Sequence, residues 1–221
     1  DEHYEVLVRM LNPKGEEVSP SEFIAAANDE GLTGKIDRWV VLNSIKQLGE
    51  HRSKGHNTHL FIHLSSASLQ DQTFLPWLSL ALKAERLPAD ALVMQISEPD
   101  AIEYLKQAKA LTQGLAELHC KVSINQFGCA ANPFNTLKHI NADFVRVDGS
   151  YTQDLANPEN LEALKVLLTS LHAQAQITVV PCVETATTMA ALWQTGANYI
   201  QGYFLQAPSP VMDFEFSSGN D

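Results

Sequence analysis

Leu92-Val93-Met94-Gln95-Ile96, the helical pattern from Ala101 to His119, and then Val122-Ser123-Ile124-Asn125-Gln126 read as one strand–helix–strand unit, and that unit decides the fold. Both short runs carry Val and Ile at close spacing, as in strands buried on both faces of a parallel sheet. The segment between them is long enough for a crossover helix. The same alternation extends in both directions. Strands are predicted at Tyr4 to Met10, His59 to Leu64, Phe144 to Val147, Ile177 to Val180 and Tyr199 to Ile200. Helices are predicted at Ser21 to Glu30, Gly34 to His51, Leu69 to Glu85, Pro133 to His139, Pro158 to Gln174 and Thr185 to Thr195. Ser19-Pro20-Ser21-Glu22 and Asn132-Pro133 supply caps with Pro at the first helical position. Gly31, Gly49 and Gly196 stand where helices should stop. Strand-and-helix units without a break in composition predict one closed or nearly closed β/α barrel over residues 1–216, with 217–221 a solvated tail. The alternative, a doubly wound open sheet, lacks a Gly-rich phosphate loop after its first strand.

Composition narrows the function. The 221 residues carry 15 Lys+Arg and 26 Asp+Glu, a formal net charge of −11, with 45% hydrophobic residues. That is an ordinary globular balance, and its sign argues against a nucleic-acid polymer as partner. Cys120, Cys129 and Cys182 are odd in number and unpaired in spacing, so neither a disulfide framework nor a zinc site is expected and a reducing compartment is the simplest home. No apolar run reaches the ~20 residues that span a bilayer, and the start shows no signal peptide, which predicts a cytoplasmic protein without membrane insertion.

A barrel carries its site where the strands end. Polar residues there are Glu5 and Arg9, His63 and Ser65, Gln95 and Glu98, Asn125 and Gln126, Arg146 and Asp148, Glu184, and Gln201. The ring mixes amides and two arginines with few carboxylates. It is suited to holding an anion and poorly equipped to gather the cations of a metal hydrolase.

These residues resemble the EAL domains, which bind or hydrolyse the bacterial second messenger cyclic di-GMP. Glu5-Val6-Leu7-Val8-Arg9 is close to E-A-L-x-R, and Asp37-Arg38-Trp39-Val40 matches a D-x-W-V helix. Ile62-His63-Leu64-Ser65 stands for V-N-x-S, Gln95-Ile96-Ser97-Glu98 for E-x-T-E, and Asn125-Gln126-Phe127-Gly128 for D-D-F-G. Val145-Arg146-Val147-Asp148 stands for I-K-I-D, Val180-Pro181-Cys182-Val183-Glu184-Thr185 for A-E-G-V-E-T, and Gln201-Gly202-Tyr203 for Q-G-Y. The resemblance implies a TIM-like (β/α)8 barrel of the EAL type with one antiparallel strand. Such domains carry an upstream helix and a Q-P-I strand that are absent here, so the first strand is expected to be missing from this chain.

The departures from the family pattern carry the functional expectation. In active members, the resemblance implies, the first Glu, the Asn, the Glu of E-x-T-E and the first Asp of D-D-F-G hold divalent metals, and further acids and a Lys support them. Glu5 remains, while His63, Gln95, Asn125, Gln126, Arg146 and Pro181 replace the others. Amides are weak ligands and Pro181 is none, so no metal cofactor and no hydrolysis are expected. The positions that hold the nucleotide are kept: Arg9 for a phosphate, Leu7 beside it, Asp37 and Glu184 for guanine N–H groups, Gln201 at the same mouth, with Glu5 and Ser65 also ligand-facing.

This pattern resembles the degenerate FimX-type receptors, which bind cyclic di-GMP without cleaving it and regulate type IV pilus assembly and twitching motility. The resemblance implies an upstream degenerate diguanylate-cyclase-like domain, a PilZ-type adaptor as partner, and recruitment to the cell pole. Two other readings stay open: slow metal-dependent hydrolysis through Glu5, His63 and Glu184, and a docking scaffold that has lost the nucleotide. Other positions have plainer expectations. Arg146 is expected to bind phosphate or to pair with Asp148. Cys182 is expected to be a small buried thiol, and Trp39, Trp77 and Trp193 to pack on the barrel.

Overall fold

The computed structural model describes residues 1–216; the tail expected at 217–221 lies outside the described residues. In chain order the elements are β1 (Glu2–Glu5), β2 (Met10–Leu11), β3 (Glu17–Val18), α1 (Pro20–Asp29), α2 (Thr33–Ser53), β4 (Thr58–His63), α3 (Ser66–Gln70) and α4 (Phe74–Glu85). There follow β5 (Leu92–Ser97), α5 (Glu98–Glu103), α6 (Leu105–Glu117), β6 (Lys121–Phe127), α7 (Pro133–Leu137), β7 (Phe144–Val147), α8 (Pro158–Ala173), β8 (Ile177–Val180), α9 (Ala186–Leu192) and β9 (Tyr199–Ile200). Seven strands pair in the order β1-β4-β5-β6-β7-β8-β9, and every pairing is parallel. The sheet curls into a barrel that stays open between β9 and β1. Antiparallel pairing among the described residues is confined to the small hairpin of β2 with β3, outside the large sheet.

The two faces of the sheet differ in chemistry. Outward residues such as Ile62, Met94, Ile124 and Val145 are fully buried against the helices. On α2, Val41, Ile45 and Leu48 recur at helical spacing and form the stripe that covers β4. Inward, Phe61, Val93, Phe144 and Val179 form a separate apolar layer inside the barrel. His3 and Tyr199 complete that layer, their rings 4.7 Å apart across the open side.

Several boundaries differ from the sequence reading. The first strand ends at Glu5 rather than Met10, so Leu7 and Arg9 lie beyond it, on the segment leading into the hairpin. The expected helix from Leu69 to Glu85 is two helices, because Asp71 turns the chain by accepting from the Thr73 N–H and hydroxyl. The helix expected from Ala101 likewise breaks at Tyr104, whose ψ of 44° is not helical. Ser19 and Asn132 precede their helices but make no side-chain cap bond. Gly31 does follow the end of its helix, with φ of 66°, whereas α9 already ends at Leu192, and Gly196 with φ of 74° lies in the turn beyond it. Gly49 does not: α2 runs through it to Ser53, held by packing that outweighs a propensity loss of about 1 kcal/mol.

Candidate functional site

Strand periodicity builds the mouth. Two residues beyond the inner layer of His3, Phe61, Val93, Phe144, Val179 and Tyr199 stand Glu5, His63, Gln95, Arg146, Pro181 and Gln201. Side chains at i and i+2 share a face, so these six rise together to the C-terminal end of the barrel. Parallel strands place all those ends on one side.

Glu5 is the hub. Its Oε1 accepts from Arg146 Nη1 at 2.5 Å and from Gln95 Nε2 at 3.5 Å, and its Oε2 accepts from Gln201 Nε2. The Glu5 and Arg146 side chains are only 13% and 16% exposed, so their pairing is sheltered from solvent screening. Arg146 therefore pairs across the barrel with Glu5 and not with Asp148. The latter instead caps a short 3-10 turn by accepting from the Ser150 N–H at 3.1 Å. Gln95 is itself held, its Oε1 accepting from the Ser123 hydroxyl at 3.0 Å. Arg146 Nε is buried and has no hydrogen-bond partner.

Asn125 and Gln126 do not join this network. The β6–β7 register shifts between Ile124 and Phe127, and Gln126 takes a φ of 55°. Asn125 Oδ1 accepts from the Gln126 N–H, and the Gln126 side chain is exposed. His63 opens to solvent at the rim while the barrel walls surround it. Desolvation lowers its pKa below the ordinary histidine value, against the opposing pull of Asp37, Asp100 and Glu5.

Asp37 is buried in α2, and its Oδ2 accepts from the Ser65 N–H at 2.9 Å and from the Ser65 and Ser68 hydroxyls at 2.6 Å each. It thus ties the end of β4 and the start of α3 to α2. Arg9 and Leu7 are exposed, and Arg9 Nε stands 3.8 Å from Glu17. Glu184 is exposed on the turn after β8. Val183 beside it donates to the Gln201 carbonyl at 2.9 Å, which puts Glu184 and Gln201 on adjoining strand ends. A Cβ on Gly202 would lie 2.1 Å from the Val183 carbonyl oxygen, so this close approach requires glycine.

Glu98 has a role that the sequence reading missed. It is buried, and its carboxylate accepts from the Gly128 and Ala130 N–H groups at 3.1 and 2.9 Å, fastening the loop after β6. Its place at the first turn of α5 was the available signal. His63, Glu5 and Glu184 do not form a metal-type cluster; among the described residues that geometry belongs to Glu2, His51 and His56. Cys182 is exposed, not buried, because its φ of 61° turns the backbone outward after Pro181. Trp39 and Trp193 are 60% and 77% exposed, while Trp77 packs as expected, beneath the Arg38 guanidinium.

Comparison with known proteins accords with this geometry. A family model described as the EAL domain matches residues 2–208. The crystal structure of the FimX EAL domain from Pseudomonas aeruginosa bound to c-di-GMP is 61% identical, with a TM-score of 0.94 over 98% of this chain and 87% of that one. The Xanthomonas citri FimX EAL domain in complex with c-di-GMP is 29% identical, with a TM-score of 0.92 over 98% and 85%. The cyclic di-GMP phosphodiesterase PdeF of Escherichia coli (strain K12) is 29% identical over 96% of this chain but 29% of its own length. The signaling protein YkoW of Bacillus subtilis (strain 168) is 26% identical over 96% of this chain and 26% of its own length. The chain thus spans less than a third of these curated relatives.

Proposed function

The chain belongs to the EAL domain family, and from that premise and the geometry of the mouth we propose that it is a cyclic di-GMP receptor that binds the dinucleotide without metal and without cleaving it. The observation that carries this reading is the Glu5–Arg146 pair. The family implies divalent cations beside the first Glu, and the residues present do not fit them. A guanidinium occupies one oxygen of Glu5 and an amide the other. Gln95 and Asn125 offer neutral donors, and Asn125 is spent on its own backbone. A fixed positive charge beside the last carboxylate repels a second cation and lowers repulsion against a dianionic ligand.

Arg9 meets a phosphate from the rim. Its exposed pairing with Glu17 at 3.8 Å is weak, so the guanidinium is free to turn to the ligand. Glu184 and Gln201 on adjoining strand ends face a guanine from the other side, with Leu7 as apolar contact. The c-di-GMP bound to the 61% identical FimX domain supports the same ligand here. A role in type IV pilus biogenesis and twitching motility rests on the FimX-type resemblance alone, as do a PilZ-type adaptor, an upstream diguanylate-cyclase-like domain, and a cytoplasmic or polar address. No helix of the described residues is long and apolar enough to cross a membrane.

The phosphodiesterase reading draws on relatives such as PdeF. That reading separates from the receptor by formation of linear pGpG in added Mg²⁺ or Mn²⁺, and calorimetry with cyclic di-GMP and the purified chain tests binding itself. We expect saturable one-site binding without added metal, with Arg9→Ala and Glu184→Ala each weakening it roughly 10- to 100-fold, the range for a lost charged hydrogen bond. No saturation in the wild type would make the chain a docking scaffold and overturn the proposal.

A further inference from the structure

The other end of β1 carries a second set of donors. Glu2 stands at the N-terminal end of that strand, three residues before Glu5 and therefore on the far side of the barrel from the mouth, about 10 Å away along the strand. Odd and even residues of the strand face opposite ways. His3 and Glu5 enter the barrel, and Glu2 and Tyr4 face α2. There His51, in the last turn of α2, and His56, on the loop before β4, converge on the Glu2 carboxylate.

The geometry is that of a ligand set. His51 Nε2 is 3.4 Å from Glu2 Oε2, and His56 Nδ1 is 2.9 Å from Glu2 Oε1. Ligand atoms about 2.1 Å from a tetrahedral ion lie about 3.4 Å apart, and the ligand atoms of these three residues lie within 4.8 Å of one another, so an ion is admitted once the imidazoles turn towards it. The two imidazoles are stacked, with centroids 4.0 Å apart and planes 13° from parallel, so their in-plane lone pairs run side by side and one ring must turn about its side-chain bonds for both to meet one ion. The Thr58 hydroxyl donates to Glu2 Oε2 at 2.7 Å, the orienting bond that metal-bound carboxylates receive from outside the ligand set. Arg52 donates to the Thr58 carbonyl at 2.7 Å and steadies the turn that carries His56. The site opens into a cleft of about 510 Å³ whose walls add Tyr4, Asp213 and Glu215, leaving room for a water as fourth ligand and acids that favour a cation.

We propose that Glu2, His51 and His56 form a site for a divalent transition-metal ion, with Zn²⁺ the ion the donors fit best. Two imidazoles and one carboxylate suit zinc; magnesium and calcium call for oxygen donors. The site joins β1, α2 and the β4 loop, so the ion clips the first strand of an open sheet to the helix layer. It depends neither on the nucleotide nor on the reading of the mouth.

The test uses the untagged, chelator-treated chain and Zn²⁺ alone, followed by calorimetry and by melting temperature. The expected result is one Zn²⁺ per chain, reversed by EDTA, with a melting temperature raised by a few degrees. His51→Ala and His56→Ala each abolish that stoichiometric binding, and Thr58→Val weakens it roughly 10-fold. His59→Ala, on a neighbouring imidazole, leaves it intact, as does saturation with cyclic di-GMP. Absence of saturable binding in the wild type overturns the proposal, and so does binding that survives both His51→Ala and His56→Ala.

Discussion

The two ends of β1 hold one carboxylate each, and they are neutralised in opposite ways. Glu5, at the C-terminal end, is bound by a permanent cation and by two amides. Glu2, at the other end, is bound by two imidazoles and a hydroxyl. An arginine cannot give up its proton, so the first arrangement is a closed charge pair. Imidazoles have a neutral form with a lone pair, so the second can exchange a proton for a metal ion. Within a strand of four residues, one end thus holds a closed charge pair and the opposite end holds donors that suit an ion.

The largest effect expected comes from breaking the closed pair. Arg146→Met leaves Glu5 charged in a sheltered site with only amides around it and is expected to destabilise the fold by about 3 kcal/mol in urea unfolding. Adding Glu5→Gln should recover most of that loss. A single variant within about 0.5 kcal/mol of wild type would mean that the pair is solvated and idle.

Next in size is Gly202→Ala, which forces a Cβ against the Val183 backbone and displaces Gln201 from Glu5. A loss of about 2 kcal/mol is expected, together with weaker nucleotide binding. Unchanged stability and affinity would show that the β8–β9 end yields freely.

The last effects are those of pH, and they belong to the other end. Burial, together with the charges of His59 and the N-terminus, pulls the pKa of His3 down from 6.5 to about 4. The unfolded chain then takes up a proton that the folded one refuses, so stability falls as pH drops from 6.5 towards 4. His3→Phe should flatten that slope. Glu2 acts in a lower window. Burial raises its pKa, but hydrogen bonds from His56, Thr58 and His51 outweigh it and hold the group at about 2 instead of 4.5. Its contribution is complete above about 4.5 and is lost as pH falls towards 2, a dependence that Glu2→Gln removes. Acid titrations of both variants that overlay on the wild type would erase the contrast between the ends.

The alternating strands and helices were legible in the sequence because each is buried on a regular period. The mouth was legible for the same reason, since His63, Gln95, Arg146 and Gln201 follow an aromatic or aliphatic residue by two, and Glu5 follows His3 in the same register. What Arg146 touches was not legible: its partner is 141 positions away, and only the curl of the sheet brings the two together. The neighbouring Asp148 was the local guess, and a local turn claims it. Leu7 and Arg9 read as strand because the run is apolar, yet pairing with β4 ends one residue past Glu5. The Glu2–His51–His56 cluster escaped notice because its members, unremarkable singly, meet only when α2 packs on β1.

The central claim is a receptor whose charge pair stands where catalytic metals would bind. The most direct measurement follows cyclic di-GMP binding and its conversion to linear pGpG in one sample, first in EDTA and then in excess Mg²⁺ or Mn²⁺. The account predicts the same dissociation constant in both conditions and no pGpG. Binding that vanishes in EDTA, or product that accumulates with added metal, would contradict it.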